Sequence, residues 1–273
     1  MIKIWDALLS IVYPAFCPIC GSPLSQPSKS PVCHLCWENI NLIPPPYCSI
    51  CGLPLELESK VATSIELSCQ DCQKGKRAFS MARALGIYEY ELRDIILLLK
   101  FQGKRRLAKE LAYMSYLRLK GDRLIERVDV ILPVPLYWRR KRERGFNQSE
   151  LLASYLSRSL GIKILKGYLR RIRNTPPQSQ VDPKERAKNV RGAFRVRGPW
   201  WRIIKDWFQA GIRRLKAREP KKRKKYHSSN SLKGKVVLLI DDIFTTGATV
   251  SECARTLKKA GAKEVRVFTI ARA

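Results

Sequence analysis

From about residue 80 onward the chain alternates between two spacings of apolar residues. ARALGIYEY (82–90) and EVRVFTIAR (264–272) read as strands. VDVILPVPL (128–136) and VVLLID (236–241) are continuous apolar runs, the pattern of parallel strands buried on both faces. Between them, Leu92, Ile95, Ile96 and Leu99 fall at helical spacing. RRLAKELAYMSYLRLKG continues as a helix stopped by Gly121. NQSELLASYLSRSLG predicts a helix from Asn147 to Gly161, and TVSECARTLKKAG one with Gly261 just past its end. IKILKGYLR (162–170) reads as a further strand, and RIRNTPPQSQVDPKERAKNVRGAF (171–194) as a long polar loop. Strands alternating with helices of this length predict an α/β fold with a doubly wound parallel sheet. Ligands on such sheets bind at the carboxyl ends of strands.

The first 75 residues follow neither spacing. MIKIWDALLSIVYPAF is apolar but broken by Asp6 and Pro14, and no small-residue cleavage site follows. It is too short to span a bilayer, which takes ~20 apolar residues. It reads as a short helix packed on the body, and the protein as cytoplasmic. Eight of the nine cysteines then fall into four C-x-x-C pairs: Cys17/Cys20, Cys33/Cys36, Cys48/Cys51 and Cys69/Cys72. Two thiolates spaced this way grip one Zn²⁺ from a tight turn, and two pairs complete a tetrahedral site. CPICGSPL (17–24) returns as CSICGLPL (48–55), which divides the segment into two units. The simplest pairing is sequential: the first four cysteines hold one zinc and the second four another. The competing reading, a redox-active C-x-x-C, belongs to a single motif inside a βαβ unit. His34 reads as a spacer and Cys253 as a core residue, on one helical face with Val250, Ala254 and Leu257. The expected division is a double zinc ribbon over 1–75 and an α/β domain over 76–273.

Charge sharpens that division. Residues 1–75 carry four lysines against six acids, whereas the whole 273-residue chain carries +30. The α/β part is therefore strongly basic, which favours polyanions such as nucleic acid; generic solubility is the plainer explanation. The basic excess peaks in an interruption of the α/β pattern at 195–233, with fourteen basic and two acidic residues. WWRIIKDWFQAGIRRLK puts Trp200, Ile203, Ile204, Trp207, Phe208, Gly211 and Leu215 on one stripe, and Lys221–Lys225 are five consecutive cations. Three readings stand side by side: a helix packed on its own domain with a solvated linker, a nucleic-acid contact, and peripheral contact with an anionic membrane.

The chemistry concentrates at the end of the 236–241 run. Two acids, Asp241 and Asp242, are followed by Thr245, Thr246, Gly247, Ala248 and Thr249. Paired carboxylates at a strand tip can hold Mg²⁺, act as acid and base, or accept hydrogen bonds from vicinal hydroxyls. The short hydroxyl-rich turn into a helix supplies N–H groups and a positive helix end, a cradle for phosphate. It lacks the G-K-[ST] ending of a nucleotide-triphosphate loop. A diol beside a phosphate, as in ribose 5-phosphate, fits this combination.

Residues 237–249, VLLIDDIFTTGAT, resemble the signature of type I phosphoribosyltransferases. Together with ILPVPL…RGFNQSELLA, RIRNTPPQ…ERAKNVRGAF and the Cys-rich module, the chain resembles the ComF family, associated with bacterial competence and DNA uptake. The resemblance covers nearly everything except 195–233. It implies a type I phosphoribosyltransferase-like sheet. Asp241 and Asp242 would hold the ribose hydroxyls of phosphoribosyl pyrophosphate, and the 245–249 loop its 5′-phosphate, with Mg²⁺ bridging the pyrophosphate. The turn after Val130–Pro135 (Pro133, Val134, Pro135) would be the pyrophosphate loop, with Arg144 meeting its charge. Residues 172–192 would be the flexible hood. Partners implied are the phosphoribosyl ligand, single-stranded DNA, and a competence helicase or other DNA-processing protein. One departure matters. Thr245 stands where 6-oxopurine members carry an Asp that serves the purine, which disfavours guanine or hypoxanthine as acceptor. Three functional readings follow: a DNA-handling protein on this fold, a working phosphoribosyltransferase with another acceptor, and a non-catalytic sensor of the ligand.

Overall fold

The computed structural model describes residues 15–24, 27, 30–55, 67–75, 77–176, 182, 185–197 and 232–273. The expected helix over 1–16 falls almost wholly outside these residues, as do the aromatic stripe and cation run of the 195–233 interruption.

Five parallel strands form the main sheet: β1 (Met81–Ile87), β2 (Val130–Pro133), β3 (Lys163–Ile164), β6 (Val236–Phe244) and β7 (Glu264–Arg272). Their spatial order is β1-β7-β6-β2-β3. The remaining strands, β4 (Leu169–Arg171) and β5 (Phe194–Val196), pair antiparallel outside that sheet. Continuous apolar sequence is what a central parallel strand requires, and β6 is buried along its length except at Ile243.

Helices cover both faces. On one, α3 (Tyr90–Phe101), α4 (Leu107–Leu119) and α6 (Gln148–Leu160) pack on Ile131, Leu238, Ile240, Phe268 and Ile270. On the other, α8 (Ala248–Lys259) packs on Val237, Leu239, Val265 and Val267. Cys253, Val250, Ala254 and Leu257 form its buried stripe, as the helical spacing predicts. The doubly wound α/β architecture read from the sequence is therefore the one observed. The cysteine-rich segment lies against the same cores: Cys17 and Cys36 join the first apolar cluster, and Cys48, Cys51, Cys69 and Cys72 the second. Its two short helices are α1 (His34–Glu38) and α2 (Gln70–Lys74).

Several boundaries differ from the pattern-based ones, each for a local reason. The 82–90 strand stops at Ile87, because Tyr90 turns to φ 40° and opens α3. The 128–136 run yields a strand of only four residues. Pro133 and Pro135 offer no N–H to the ladder, and the Val134 carbonyl accepts from the Asn147 side chain at 3.0 Å. The 162–170 run breaks at Gly167 (φ 67°) into β3 and β4, which belong to different sheets. The 171–194 segment is not all loop: it contains the end of β4, the start of β5 and α7 (Arg186–Val190). Pattern reading missed α5 (Trp138–Arg144) because none of its seven residues is buried, leaving no apolar stripe to detect. Gly145 ends α5 at φ 77°, and Asn147 caps α6 by accepting the Ser149 N–H at 3.1 Å.

Candidate functional site

β6 is flanked by β7 and β2, so its carboxyl end opens at the middle of the sheet. Asp241 and Asp242 stand there, 8% and 9% exposed. Adjacent buried carboxylates repel and are costly to desolvate, so each needs donors. Asp242 Oδ2 accepts from Lys100 Nζ at 2.9 Å and from Gln148 Nε2 at 2.5 Å. Asp241 Oδ1 accepts from Ser149 Oγ at 2.9 Å and from the Asp242 N–H at 3.0 Å. The two carboxyls are thereby pushed apart in acidity. Burial, and then the charge on Asp242, raise Asp241 to about 7. Burial also works against the charge on Asp242, but the Lys100 ammonium and the Gln148 hydrogen bond outweigh it and hold that carboxyl below its usual range.

The turn after β6 leads into α8 with Gly247 as its N-cap, at φ 76°. A Cβ there would lie 2.6 Å from Cζ of Phe244, so only glycine lets the loop close on that ring. Gly247→Ala is expected to lower stability by about 2 kcal/mol, through left-handed strain plus overpacking. A denaturation midpoint equal to wild type would contradict this. Thr245, Thr246, Ala248 and Thr249 are partly exposed along the turn and first helical residues. The Thr246 hydroxyl accepts from the Ala248 N–H at 3.4 Å, and its carbonyl accepts from Arg77 at 2.9 Å.

Pro133, Val134 and Pro135 lie beside the acids. The Val134 N–H donates to the Ile240 carbonyl at 2.8 Å, which fixes Pro133-Val134-Pro135 next to the end of β6. Arg144 reaches the acids indirectly: it donates to Gln148 Oε1 at 2.7 Å, and Gln148 donates to Asp242. Thr175, after β4, accepts from Arg140 through its carbonyl at 2.7 Å and from Arg171 through its hydroxyl. Arg171 is close enough for its charge to interact with Asp241.

Lys100, Gln148 and Ser149 were missed by motif reading. Gln148 and Ser149 lie inside the RGFNQSELLA stretch and were legible as polar residues at a helix start. Lys100 ends an apolar helix and carries no sequence signal, because only the chain reversal between α3 and β6 brings it to Asp242. Cys253 lies near Asp241 and Arg171, but burial pushes its thiol well up, which leaves it neutral.

The eight paired cysteines assemble as the sequential pairing predicts. Cys17, Cys20, Cys33 and Cys36 form one cluster, and Cys48, Cys51, Cys69 and Cys72 the other; within each the sulfurs lie within 4.8 Å of one another. Four soft sulfur ligands at that separation fit tetrahedral Zn²⁺ with no position left for catalysis. The N–H groups of Cys51 and Cys69 both point at Cys48 Sγ at 3.4 Å, as donors to a thiolate would. Gly21 and Gly52 adopt φ 73° and 70° in the repeated knuckles. His34 is exposed and pairs with Glu38 outside both clusters. Among the described residues, no helix is long and apolar enough to cross a membrane.

The second cluster is joined to the threonine loop by two arginines. Arg77 donates to the Thr246 carbonyl at 2.9 Å and lies near enough to Cys72 to favour its thiolate. Arg272 donates to the Cys51 carbonyl at 2.6 Å and lies 3.6 Å from its sulfur. Its guanidinium stacks 4.6 Å above the Phe244 ring on which Gly247 rests.

Comparison with known proteins agrees with this architecture. Residues 8–73 match the double zinc ribbon domain, and residues 147–273 the phosphoribosyl transferase domain. Competence protein F of Haemophilus influenzae is 29% identical over 208 residues, 75% of this chain and 78% of that protein. DNA utilization protein YhgH of Salmonella typhimurium is 26% identical over 96% of this chain and 99% of its own length. Competence protein ComFC of Streptococcus pneumoniae is 28% identical over 77% of each. Fold and site thus define a phosphoribosyltransferase-fold protein with an N-terminal double zinc ribbon. Over most of its length the chain is similar to the ComF-type competence proteins.

Proposed function

We propose that this protein binds phosphoribosyl pyrophosphate, or a related ribose 5-phosphate ligand, with Mg²⁺, and that it acts in the handling of single-stranded DNA during uptake. The observation that carries the ligand reading is the placement of Asp241 and Asp242 at the central strand end, directly before the Gly247-headed turn into α8. Carboxylates accept from a vicinal diol, and turn N–H groups with threonine hydroxyls donate to a phosphate. In this reading Asp241 and Asp242 take the ribose hydroxyls, and Thr245, Thr246, Gly247, Ala248 and Thr249 the 5′-phosphate. Pro133, Val134, Pro135 and Arg144 face the pyrophosphate. Residues 1–75 serve as the zinc-ribbon domain and 76–273 as the ligand domain.

The donor set fits Mg²⁺ arriving with its ligand. Lys100 already neutralises Asp242, so the pyrophosphate and ribose oxygens would hold the ion, with the acids close by. When bound, Mg²⁺ would supply neutralising charge to the pyrophosphate. The DNA reading is supported by the chain's net charge of +30 and by relatives named for competence and DNA utilization.

Ligand affinity is expected to depend on pH through Asp241. Its folded pKa is raised to about 7, so the carboxyl is neutral below that value and accepts poorly from a diol. Affinity therefore rises as pH passes upward through 7. Removing the Ser149 hydrogen bond withdraws a group that lowers this pKa, so Ser149→Ala shifts the midpoint upward. Calorimetric titrations of both proteins from pH 6 to 8.5 separate this shift from titration of the ligand phosphate, which the two share. Superimposable pH profiles would remove Asp241 from the binding group. For the folded protein the sign is opposite: an acid with a raised pKa stabilises fully below its unfolded value, and that contribution is lost between about pH 4 and 7.

A further inference from the structure

α5 has no reason to exist as a packing element. None of its residues is buried, and its sequence WRRKRER places five cations and one acid in seven positions. Trp138 at its start is 57% exposed. Of its cations, Lys141 is engaged by Glu150 at 3.1 Å, Arg140 by the Thr175 carbonyl and Arg144 by Gln148. Arg139 and Arg142 stand exposed beside the exposed Glu143, with the Arg139 guanidinium 5.9 Å from the centre of the Trp138 ring. A second segment, just after α3, repeats this composition. Phe101 is 72% exposed and is followed within five residues by Lys104, Arg105 and Arg106, all exposed.

These two segments are one surface. Arg105 donates to the Gly145 carbonyl at 3.4 Å and stacks 4.8 Å above Phe146. Arg144 stacks 5.3 Å above the Phe101 ring. A cavity of about 340 Å³ opens along Gly103, Lys104, Arg105 and Arg106. From Arg144 back to Trp138 the helix rises about 9 Å, a span of two or so nucleotides.

We infer that this surface, from Phe101 to Arg106 and along α5, binds a single-stranded polynucleotide. Cations alone attract any polyanion, but two large aromatic side chains standing in solvent among them offer stacking platforms. Only unpaired bases present free faces to such platforms; in a duplex those faces are covered. The surface is built from described residues outside the 195–233 stretch to which the cation count of the sequence points. It also borders the acidic pair: Lys100 precedes Phe101, and Arg144 links Phe101 to Gln148. The inference rests on the DNA limb of the proposed function and names where that limb resides.

The test is fluorescence anisotropy of the full zinc-loaded chain with a labelled oligothymidylate of twenty residues across a range of salt concentrations. Phe101→Ala/Trp138→Ala is expected to weaken binding about tenfold or more, as loss of base stacking does. Lys104→Ala/Arg139→Ala/Arg142→Ala should weaken it and reduce the slope of log affinity against log salt by about 2 to 3. A charge-matched control at the far end of α8, Lys258→Ala/Lys259→Ala/Lys263→Ala, should lose less affinity than the α5 triple. Circular dichroism melts check that each variant is folded. Wild-type binding with both surface variants unaffected would overturn this surface while leaving the DNA reading in place. Absence of wild-type binding would overturn both. Equal affinity for a blunt duplex, or tighter binding to phosphatidylserine vesicles than to the oligonucleotide, would overturn the single-strand assignment.

Discussion

Asp241→Asn is expected to weaken binding of phosphoribosyl pyrophosphate with Mg²⁺ by about a hundredfold while leaving the protein folded. A hydrogen bond to a charged group is worth about 1.5–3 kcal/mol, and a carboxylate can take more than one from a diol. Losing those bonds weakens binding by about a hundredfold. The same substitution does not threaten the fold. Asp241 is already raised to about 7, so above that pH its ionisation opposes folding, and a neutral amide relieves the repulsion with Asp242. At pH 8 the variant should be at least as stable as wild type. Asp242→Asn behaves differently. Lys100, with its side chain only 14% exposed, would lose its counter-charge, and breaking a buried pair from one side costs about 3–5 kcal/mol. The two neighbouring acids therefore separate in the laboratory: Asp241 reports on ligand, Asp242 on ligand and fold together. Equal destabilisation by both, followed by thermal denaturation at pH 8, would contradict the assignment of the charge pair.

Losing metal from the second cysteine cluster is expected to have the other large effect. Structural zinc contributes folding free energy of about 10–16 kcal/mol in small domains, so the segment around Cys48–Cys72 should not hold its form without it. Arg77 and Arg272 carry that loss to the threonine loop, through Thr246 and through Phe244 under Gly247. Cys51→Ser should therefore remove one zinc and most of the ligand affinity. Cys20→Ser should also remove one zinc but spare much of the affinity, because the first cluster packs on the opposite face of the sheet. Metal analysis beside calorimetry reads both quantities. Identical affinities for the two variants would show that the arginine struts transmit nothing.

What the sequence revealed follows from how local each signal is. Residues 236–249 declare themselves because a buried strand, two acids and a glycine turn are contiguous. The cysteine pairing was legible for the same reason, through a repeat that fixes sequential units. Asn147 and Gly161 bounded α6 correctly because a cap and a left-handed glycine act within one turn. The missing parts are those that depend on distance along the chain. Lys100 is far from Asp242 in sequence, and Arg77 and Arg272 become struts only when β7 pairs with β6 and β1 with β7. α5 escaped because exposure, the property that matters for it, erases the periodicity by which helices are found.

The central claim is that paired acids and a glycine-headed turn hold a phosphorylated ribose. The most direct measurement is isothermal calorimetry of phosphoribosyl pyrophosphate with Mg²⁺ at pH 8, on the wild-type protein and on Asp241→Asn. Saturable binding at one site per chain in the wild type, weakened about a hundredfold in a variant that melts at the same temperature or higher, is the predicted result. Absence of heat in the wild type, or undiminished binding by the folded Asp241→Asn protein, would contradict it.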